Sequence, residues 1–209
     1  MDIASSINSN GGVVGRDPDG IHLIDLYRVK NTSLYEEFKK AGHIQGGFER
    51  LQRIDKNYRM FKKEKGIKDY TDLITEFNKT KESPKLDVVI VDEVQDLKAS
   101  EWDMVHTMID KAKVVYLAGD DDQAIYGWSG AEVSKLINLN CHLQVLNQSY
   151  RIPNSVFVRA NRLINRIKNR IPKEWSPRED EGNVSNVVFE RLNLRKNEWL
   201  ILCRTNYYL

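Results

Sequence analysis

Two textures alternate along this chain. Between residues 31 and 80 apolar side chains recur every three or four positions; from residue 88 onward they arrive in short unbroken runs. In "NTSLYEEFKKAG" Asn31, Thr32 or Ser33 offers an N-terminal cap, and Leu34, Tyr35 and Phe38 fall on one helical face. In "GGFERLQRIDKNYRMFKKEKG" Leu51, Ile54, Tyr58 and Phe61 are spaced for a second helix, whose other faces carry Arg53, Lys56, Arg59, Lys62 and Lys63. "DYTDLITEFNK" predicts a third helix with Tyr70, Leu73, Ile74 and Phe77 on one face. The run "VVIV" at 88–91 then predicts a strand covered on both faces. "ASEWDMVHTMIDKA" predicts a helix through Trp102, Val105 and Ile109, and "VVYLAGD" predicts a second strand. Strand, helix and strand in succession form a βαβ unit, so the two strands are expected to be parallel with their carboxyl ends on one edge. That edge is where open α/β sheets take ligands.

Farther on, "LQVL" (143–146) reads as a third strand leading into "NQSYRIPNS". A long helix is expected next, with Val156, Ala160, Leu163, Ile164 and Ile167 inward and a stripe of Arg159, Arg162, Arg166 and Arg170 opposite. "PKEWSPREDEG" is a charged, proline-containing connector, and "VSNVVF" and "WLILCR" read as closing strands. Residues 1–19, rich in Ser, Asn, Gly and Asp, are expected to be loosely ordered.

Composition narrows this only a little. A chain of 209 residues that is 41% hydrophobic and 30% charged suits one or two compact domains with a real core. A net charge of +2 leaves any nucleic-acid contact to local basic faces. Cys141 and Cys203 each sit in or beside an apolar run, so buried free thiols are expected and no disulfide framework. No run of 18 apolar residues predicts a membrane span, and the first residues lack an apolar core of signal-peptide length, so a cytoplasmic location is the expectation. The four histidines are scattered without zinc-ligand spacing.

The chemistry lies in three stretches. "VVIVDEVQD" ends a buried strand in Asp92 and Glu93, which is costly unless a cation or a reaction needs them. A divalent metal held by phosphates and one carboxylate would explain Asp92, and an attacking water would explain Glu93. Capping of the next helix by Asp92, Asp96 or Ser100 is the plainer alternative. "AGDDDQAIYGWSGAE" adds Asp120, Asp121, Asp122 and Gln123, then Tyr126 and Trp128 among loop residues. Those aromatics suit base stacking on a single strand, or core packing. "LNQSYRIP" offers Tyr150 as a flat ring and Arg151 as a cationic fork, suited to an adenine and a γ-phosphate, or a plain surface pair before a proline.

In this order the three stretches resemble the UvrD/Rep-type helicases of superfamily 1. "VVIVDEVQD" is similar to their motif II, "AGDDDQAIYGWSGA" to motif III and "LNQSYRIP" to the motif IV region. "DYTDLI" resembles the acidic-aromatic helix before motif II, and "WLILCRTN" the strand after the Tyr-Arg helix. The resemblance implies an α/β fold: an incomplete RecA-like parallel sheet of the P-loop NTPase kind, a helical insertion and the start of a second RecA-like domain. The implied division is a flexible N-terminus at 1–19, a 1B-like insertion and return helix at 20–80, a 1A portion at 81–142 and the opening of 2A at 143–209.

Carried onto matching positions, the resemblance implies ATP and Mg²⁺ as cofactors. Asp92 would hold Mg²⁺, Glu93 would activate water, and Gln95 and Asp96 would tie the site to neighbouring motifs. Gln123 would sense the γ-phosphate, Tyr150 would stack on adenine and Arg151 would reach the γ-phosphate. Trp128 and Tyr126 would touch bases, and Asn206 would lie near the DNA backbone. The partners implied are single-stranded DNA and single/double-strand junctions, with movement 3′ to 5′. The family's usual Arg after the motif III Trp is Ser129 here, so one cationic contact is missing.

The sequence holds no G-x-x-x-x-G-K-[ST], the loop whose amides and Lys cradle phosphates. "NGGVVGRDPDG" is glycine-rich but lacks the Lys-Ser/Thr. The expectation is therefore the middle portion of a helicase, with weak or no ATP binding alone and an exposed sheet edge, or one piece of a split helicase whose second chain supplies the loop. Two alternatives stand: a non-catalytic single-stranded DNA-binding remnant using Trp128, Tyr126 and the arginine stripe, or a decay product that folds poorly. The stripe and the basic helix at 53–65 also read as solvated faces, the latter alternatively as a guide for duplex DNA.

Overall fold

A computed structural model describes residues 20–196 and 198–202. Four helices come first: α1 (Ile21–Val29), α2 (Leu34–Ala41), α3 (Gly47–Lys65) and α4 (Tyr70–Thr80). Ser33 caps α2 through a reciprocal box with Glu36, the Ser33 Oγ accepting from the Glu36 amide and the Glu36 carboxylate from the Ser33 amide. Gly66 ends α3 in the left-handed region (φ 63°), where its amide reaches the carbonyls of Lys62 and Lys63. The core of this part is Leu23, Ile24, Ile44 and Leu51, flanked by Leu26, Tyr27, Leu34, Phe38, Ile54 and Tyr58. The helical spacing thus identifies the inward residues of α2 and α3, except that Tyr35 and Phe61 are exposed.

α4 departs from its predicted face. Tyr70 and Leu73 point to solvent, while Thr71 is buried, its hydroxyl donating to Asp25 (2.9 Å). The helix is turned by its ionic contacts: Asp69 and Asp72 reach inward to Arg28 and Lys62. Lys62, expected on a solvated face, is consequently buried.

β1 (Val88–Val91), α5 (Ala99–Ile109) and β2 (Val114–Leu117) form the expected βαβ unit, with Val88 opposite Val114 and Val91 opposite Leu117 in a parallel pair. Trp102 of α5 has no exposed surface, and Val105 and Val89 are buried. α5 also packs against α1 and α4, tied by Asn78 Nδ2 to the Ser100 carbonyl (2.8 Å) and Asn31 Nδ2 to Asp103 (2.7 Å). The strands are not covered on both faces, as their unbroken apolar runs suggested. Val88, Ile90, Val114 and Tyr116 share the outer face and are all exposed, Ile90 at 71%.

After β2 the described chain contains α6 (Val133–Ile137) and α7 (Asn154–Ile164) but no further strand. Of the larger parallel sheet expected from the sequence, the described residues contain this two-stranded parallel pair. Residues 143–146, 184–189 and 199–202 lie in none of it, because an apolar run becomes a strand only where a neighbour takes its backbone groups. Instead, residues 147–155 run beside 176–181, with Ser176 N–H donating to the Asn147 carbonyl (2.7 Å) and Ser149 N–H to the Ser176 carbonyl (2.9 Å). Phe157 meets Trp175 edge-on at 4.6 Å. α7 stops at Ile164, so Arg166, Ile167 and Arg170 fall outside the predicted helix, and Leu163, expected inward, is exposed in its last turn. Cys141 is exposed rather than buried, and Cys203 lies outside the described residues. No helix among the described residues is long and apolar enough to cross a membrane.

Candidate nucleotide and nucleic-acid site

The carboxyl ends of β1 and β2 meet at one corner. The chain leaves β1 through Asp92 and turns at Glu93, which holds a left-handed backbone (φ 54°), unusual for any residue but glycine. A 3₁₀ turn, Val94–Asp96, follows. The Val94 amide donates to the Ala118 carbonyl (3.0 Å) and the Ala118 amide to the Val91 carbonyl (2.8 Å), so the two strand ends are stitched together. Both acids are exposed, and Asp92 Oδ1 accepts from the Glu93 amide (2.8 Å).

Gln95 is the hub. It is 2% exposed, its Nε2 donates to Glu93 Oε2 (2.6 Å), and its Oε1 accepts from the Asp120 amide (3.0 Å). Gly119 permits this crossing. A Cβ there would lie 2.7 Å from Gln95 Oε1 and 2.8 Å from Val94 Cγ2, inside contact distance. One Asp96 carboxylate oxygen is buried with no hydrogen-bond partner among the described residues, and burial together with the nearby Glu93 raises its pKa.

Beyond β2, the turn Asp121–Gln123 is capped by Asp120, whose Oδ1 accepts from the Asp122 amide (3.2 Å). Gln123 is exposed, and its Nε2 donates to Asp120 Oδ2 (2.7 Å). Asp120, Asp121 and Asp122 cluster closely enough to suggest a cation site. Lys173 and Arg170 fill that role instead. Arg170 forks onto Asp122 (2.7 and 2.6 Å), Lys173 bridges Asp120 (3.1 Å), Asp122 (2.9 Å) and Asp121, and the Ile171 amide donates to Asp121 (2.7 Å). Burial alone would raise Asp122, but the two cations hold its carboxyl below the ordinary range. Asp92 fits a magnesium ion better. It is a solvent-facing carboxylate at a strand end, and its Oδ2 has no partner among the described residues.

A second turn, Gly127–Ser129, carries the aromatics. Tyr126 and Trp128 are 42% and 57% exposed, with ring centroids 6.4 Å apart, so neither is core packing. Tyr150 and Arg151 are exposed, and no hydrogen bond or ion pair among the described residues links them to the Asp92–Glu93 corner. Asn206 lies outside the described residues. The structure therefore brings Asp92, Glu93 and Gln123 into one neighbourhood through Gln95 and Asp120, and leaves Tyr150 and Arg151 unconnected to it. Arg170 and Lys173 are the participants that sequence reasoning missed. Arg170 was read as part of a helical stripe, and a pairing 48 residues away leaves no local signal.

A separate ionic cluster joins α1, α3 and α4. Arg28 forks onto Asp69 (2.8 and 3.0 Å) and reaches Asp72 (2.6 Å), Lys62 bridges both acids, and the Tyr58 hydroxyl donates to Asp69 (2.8 Å). Burial would raise Asp69, but Arg28 and Lys62 drive it far below the ordinary carboxylate range. Burial and the Asp69 contact push the Tyr58 hydroxyl well above its usual value.

Residues 24–144 match the UvrD/REP helicase N-terminal domain family. The chain is 31% identical over 114 residues to "ATP-dependent DNA helicase PcrA" of Leuconostoc citreum, a stretch covering 52% of this chain and 15% of that protein. It is 30% identical over 103 residues to the protein of the same name from Bacillus subtilis, covering 47% and 14%. A "Probable DNA helicase II homolog" of Rickettsia conorii is 33% identical over 98 residues, covering 44% and 15%. These relatives are thus matched over about one seventh of their length, while the family match takes in more than half of this chain and contains β1, β2 and both turns beyond them. The chain belongs to the UvrD/REP helicase N-terminal domain family.

Proposed function

We propose that this chain is a portion of an ATP-dependent DNA helicase that couples ATP hydrolysis to movement along single-stranded DNA. The observation that carries the reading is the corner itself: two parallel strands end in Asp92–Glu93 and Gly119–Asp120, bridged by Gln95. In this reading residues 20–80 are the helical insertion, 81–142 belong to the first motor domain and 143–209 open the second.

Bound MgATP would supply a metal-neutralised phosphoryl group open to attack by water. Asp92 would hold the metal through its solvent-facing carboxylate. Glu93, oriented by the Gln95 amide, would accept a proton from the attacking water. Gln123 would report on the γ-phosphate, since its amide is set by Asp120 at the same corner. Tyr150 and Arg151, exposed in the second portion, would cover adenine and γ-phosphate once the two portions close on nucleotide. Trp128 and Tyr126 would stack on bases, so turns beyond a single strand end serve both nucleotide and DNA.

A second reading, binding of single-stranded DNA without hydrolysis, is favoured for the 209 residues by themselves. They contain no G-x-x-x-x-G-K-[ST] to cradle phosphates. Two assays test this. Fluorescence anisotropy with a labelled oligothymidylate should show binding that Trp128→Ala weakens about tenfold, in line with the stacking energy of one base. ATP turnover should be absent from the chain alone and appear on mixing with a polypeptide carrying the phosphate loop. No DNA binding by the wild type, or an affinity indifferent to Trp128, would refute the nucleic-acid reading; no turnover in the mixture would refute the catalytic one.

A further inference from the structure

We propose that Arg170 and Lys173 are positioning residues that set the geometry of Gln123, Gln95 and Glu93 from a distant part of the chain. The contacts are continuous. Lys173 and Arg170 grip Asp120 and Asp122. Asp120 then fixes Gln123 through its carboxylate (2.7 Å) and Gln95 through its amide (3.0 Å), and Gln95 fixes Glu93 (2.6 Å). The grip is enclosed at Asp121 and Asp122, whose side chains are 3% exposed, and at Arg170 and Lys173 (16% and 15%), while Asp120, at 36%, is its open end. Enclosed charge-assisted bonds of this kind are strong and directional.

Each cation is matched to its task. The planar fork of Arg170 fixes the Asp122 carboxylate in one plane, while Lys173, a point charge, gathers all three acids. Without them three adjacent carboxylates would repel one another, and Asp120, the most exposed of the three, would swing toward water and release Gln123. The cations lie beyond α7, in the part of the chain assigned to the second motor domain. Movement of that part therefore transmits to the corner holding Glu93.

The test is heteronuclear NMR on the 209-residue chain, using the side-chain amide groups of Gln95 and Gln123, with exposed Gln52 on α3 as the control. Lys173→Met and Arg170→Ala should each shift the Gln123 and Gln95 signals and speed exchange of the Asp120 and Gln123 backbone amides about tenfold. Gln52 should not move, and Lys173→Arg, which keeps the charge but not its point-like shape, should shift Gln95 and Gln123 less than Lys173→Met does. Should Arg170→Ala unfold the chain, Asp122→Asn releases the Arg170 fork at constant shape and should shift the same signals; should Lys173→Met unfold it, Lys173→Gln removes the charge while keeping a polar side chain and should do the same. Unmoved Gln95 and Gln123 signals in a folded variant would overturn the proposal.

A second arm rests on the DNA reading above. Lys173→Met should weaken oligothymidylate binding without altering its salt dependence, whereas a lysine touching phosphate would lower that slope by about one. A lowered slope would refute positioning in favour of direct contact. Absence of DNA binding by the wild type would sink the DNA reading while leaving the NMR result to decide this one.

Discussion

Replacing Asp69 by Asn should destabilise the fold by about 2 kcal/mol, although the side chain keeps its size and its ability to cap α4. Asp69 serves two purposes. As N-cap it accepts from the Asp72 amide (2.7 Å), and as an anion it takes Arg28, Lys62 and the Tyr58 hydroxyl. Asn preserves the first and removes the charge from the second, leaving Arg28 and Lys62 to share Asp72. Breaking a fully buried ion pair costs about 3–5 kcal/mol because the orphaned partner stays buried. Here the cations are only 13% and 9% exposed but the acid is 28% exposed, so water offsets part of that cost. Asp69→Ala also loses the cap and should cost about 1 kcal/mol more. Urea unfolding followed by circular dichroism at pH 7 measures both differences, with an unchanged slope showing that the same surface is exposed. The pH dependence supplies a second check. The Asp69 carboxyl is held below its unfolded value, so its contribution is complete above about pH 4 and is withdrawn as pH falls below that. The gap between wild type and Asp69→Asn should therefore narrow on acidification. An Asn variant within about 0.5 kcal/mol of wild type at pH 7 would show the cluster to be worth no more than an ordinary surface pair.

Asp96 should behave in the opposite sense. Its carboxyl is raised by burial and by Glu93, so the ionised form weakens the fold above about pH 4, and Asp96→Asn should raise the midpoint of thermal unfolding at pH 7 but not at pH 3.5; a lower midpoint at pH 7 would count against it. Gly119→Ala should cost about 1–3 kcal/mol, because the added methyl meets Gln95 and Val94, and urea titration showing a neutral effect would mean that the corner has room to relax. Light scattering should show concentration-dependent association that Ile90→Thr with Tyr116→Thr suppresses, since both side chains sit on the exposed sheet face; no association, or association unchanged by the pair, would count against a sticky sheet face.

What could be read from the sequence was set by how local its cause is. The βαβ unit was legible because "VVIV" and "VVYL" each stop at an acidic turn, with Trp102 and Val105 spaced helically between them. Coverage of the strands was not, since it depends on what packs on the outer face of Val88, Ile90, Val114 and Tyr116. "LQVL" and "VSNVVF" look like strands for the same apolar reason, yet among the described residues no neighbouring strand pairs with them. α4 shows how a polar contact can override periodicity. Tyr70 and Leu73 have the right spacing to face inward, but Asp69 and Asp72 are drawn to Arg28 and Lys62 and rotate the helix the other way. At the candidate site, Asp92, Glu93 and Gln123 were visible as punctuation after strands. The clamp from Arg170 and Lys173 crosses some fifty residues and leaves no pattern to find.

The left-handed backbone at Glu93 sets two selective pressures against each other. Holding a β-carbon in that region costs about 1–2 kcal/mol relative to glycine, which enters it freely. A library of variants sorted only for folding or expression should thus drift to glycine at position 93 and lose the carboxylate that Gln95 orients. Sorting the same library for a coupled activity should keep the acid. The residue recovered at 93 would then record which demand the chain had been living under.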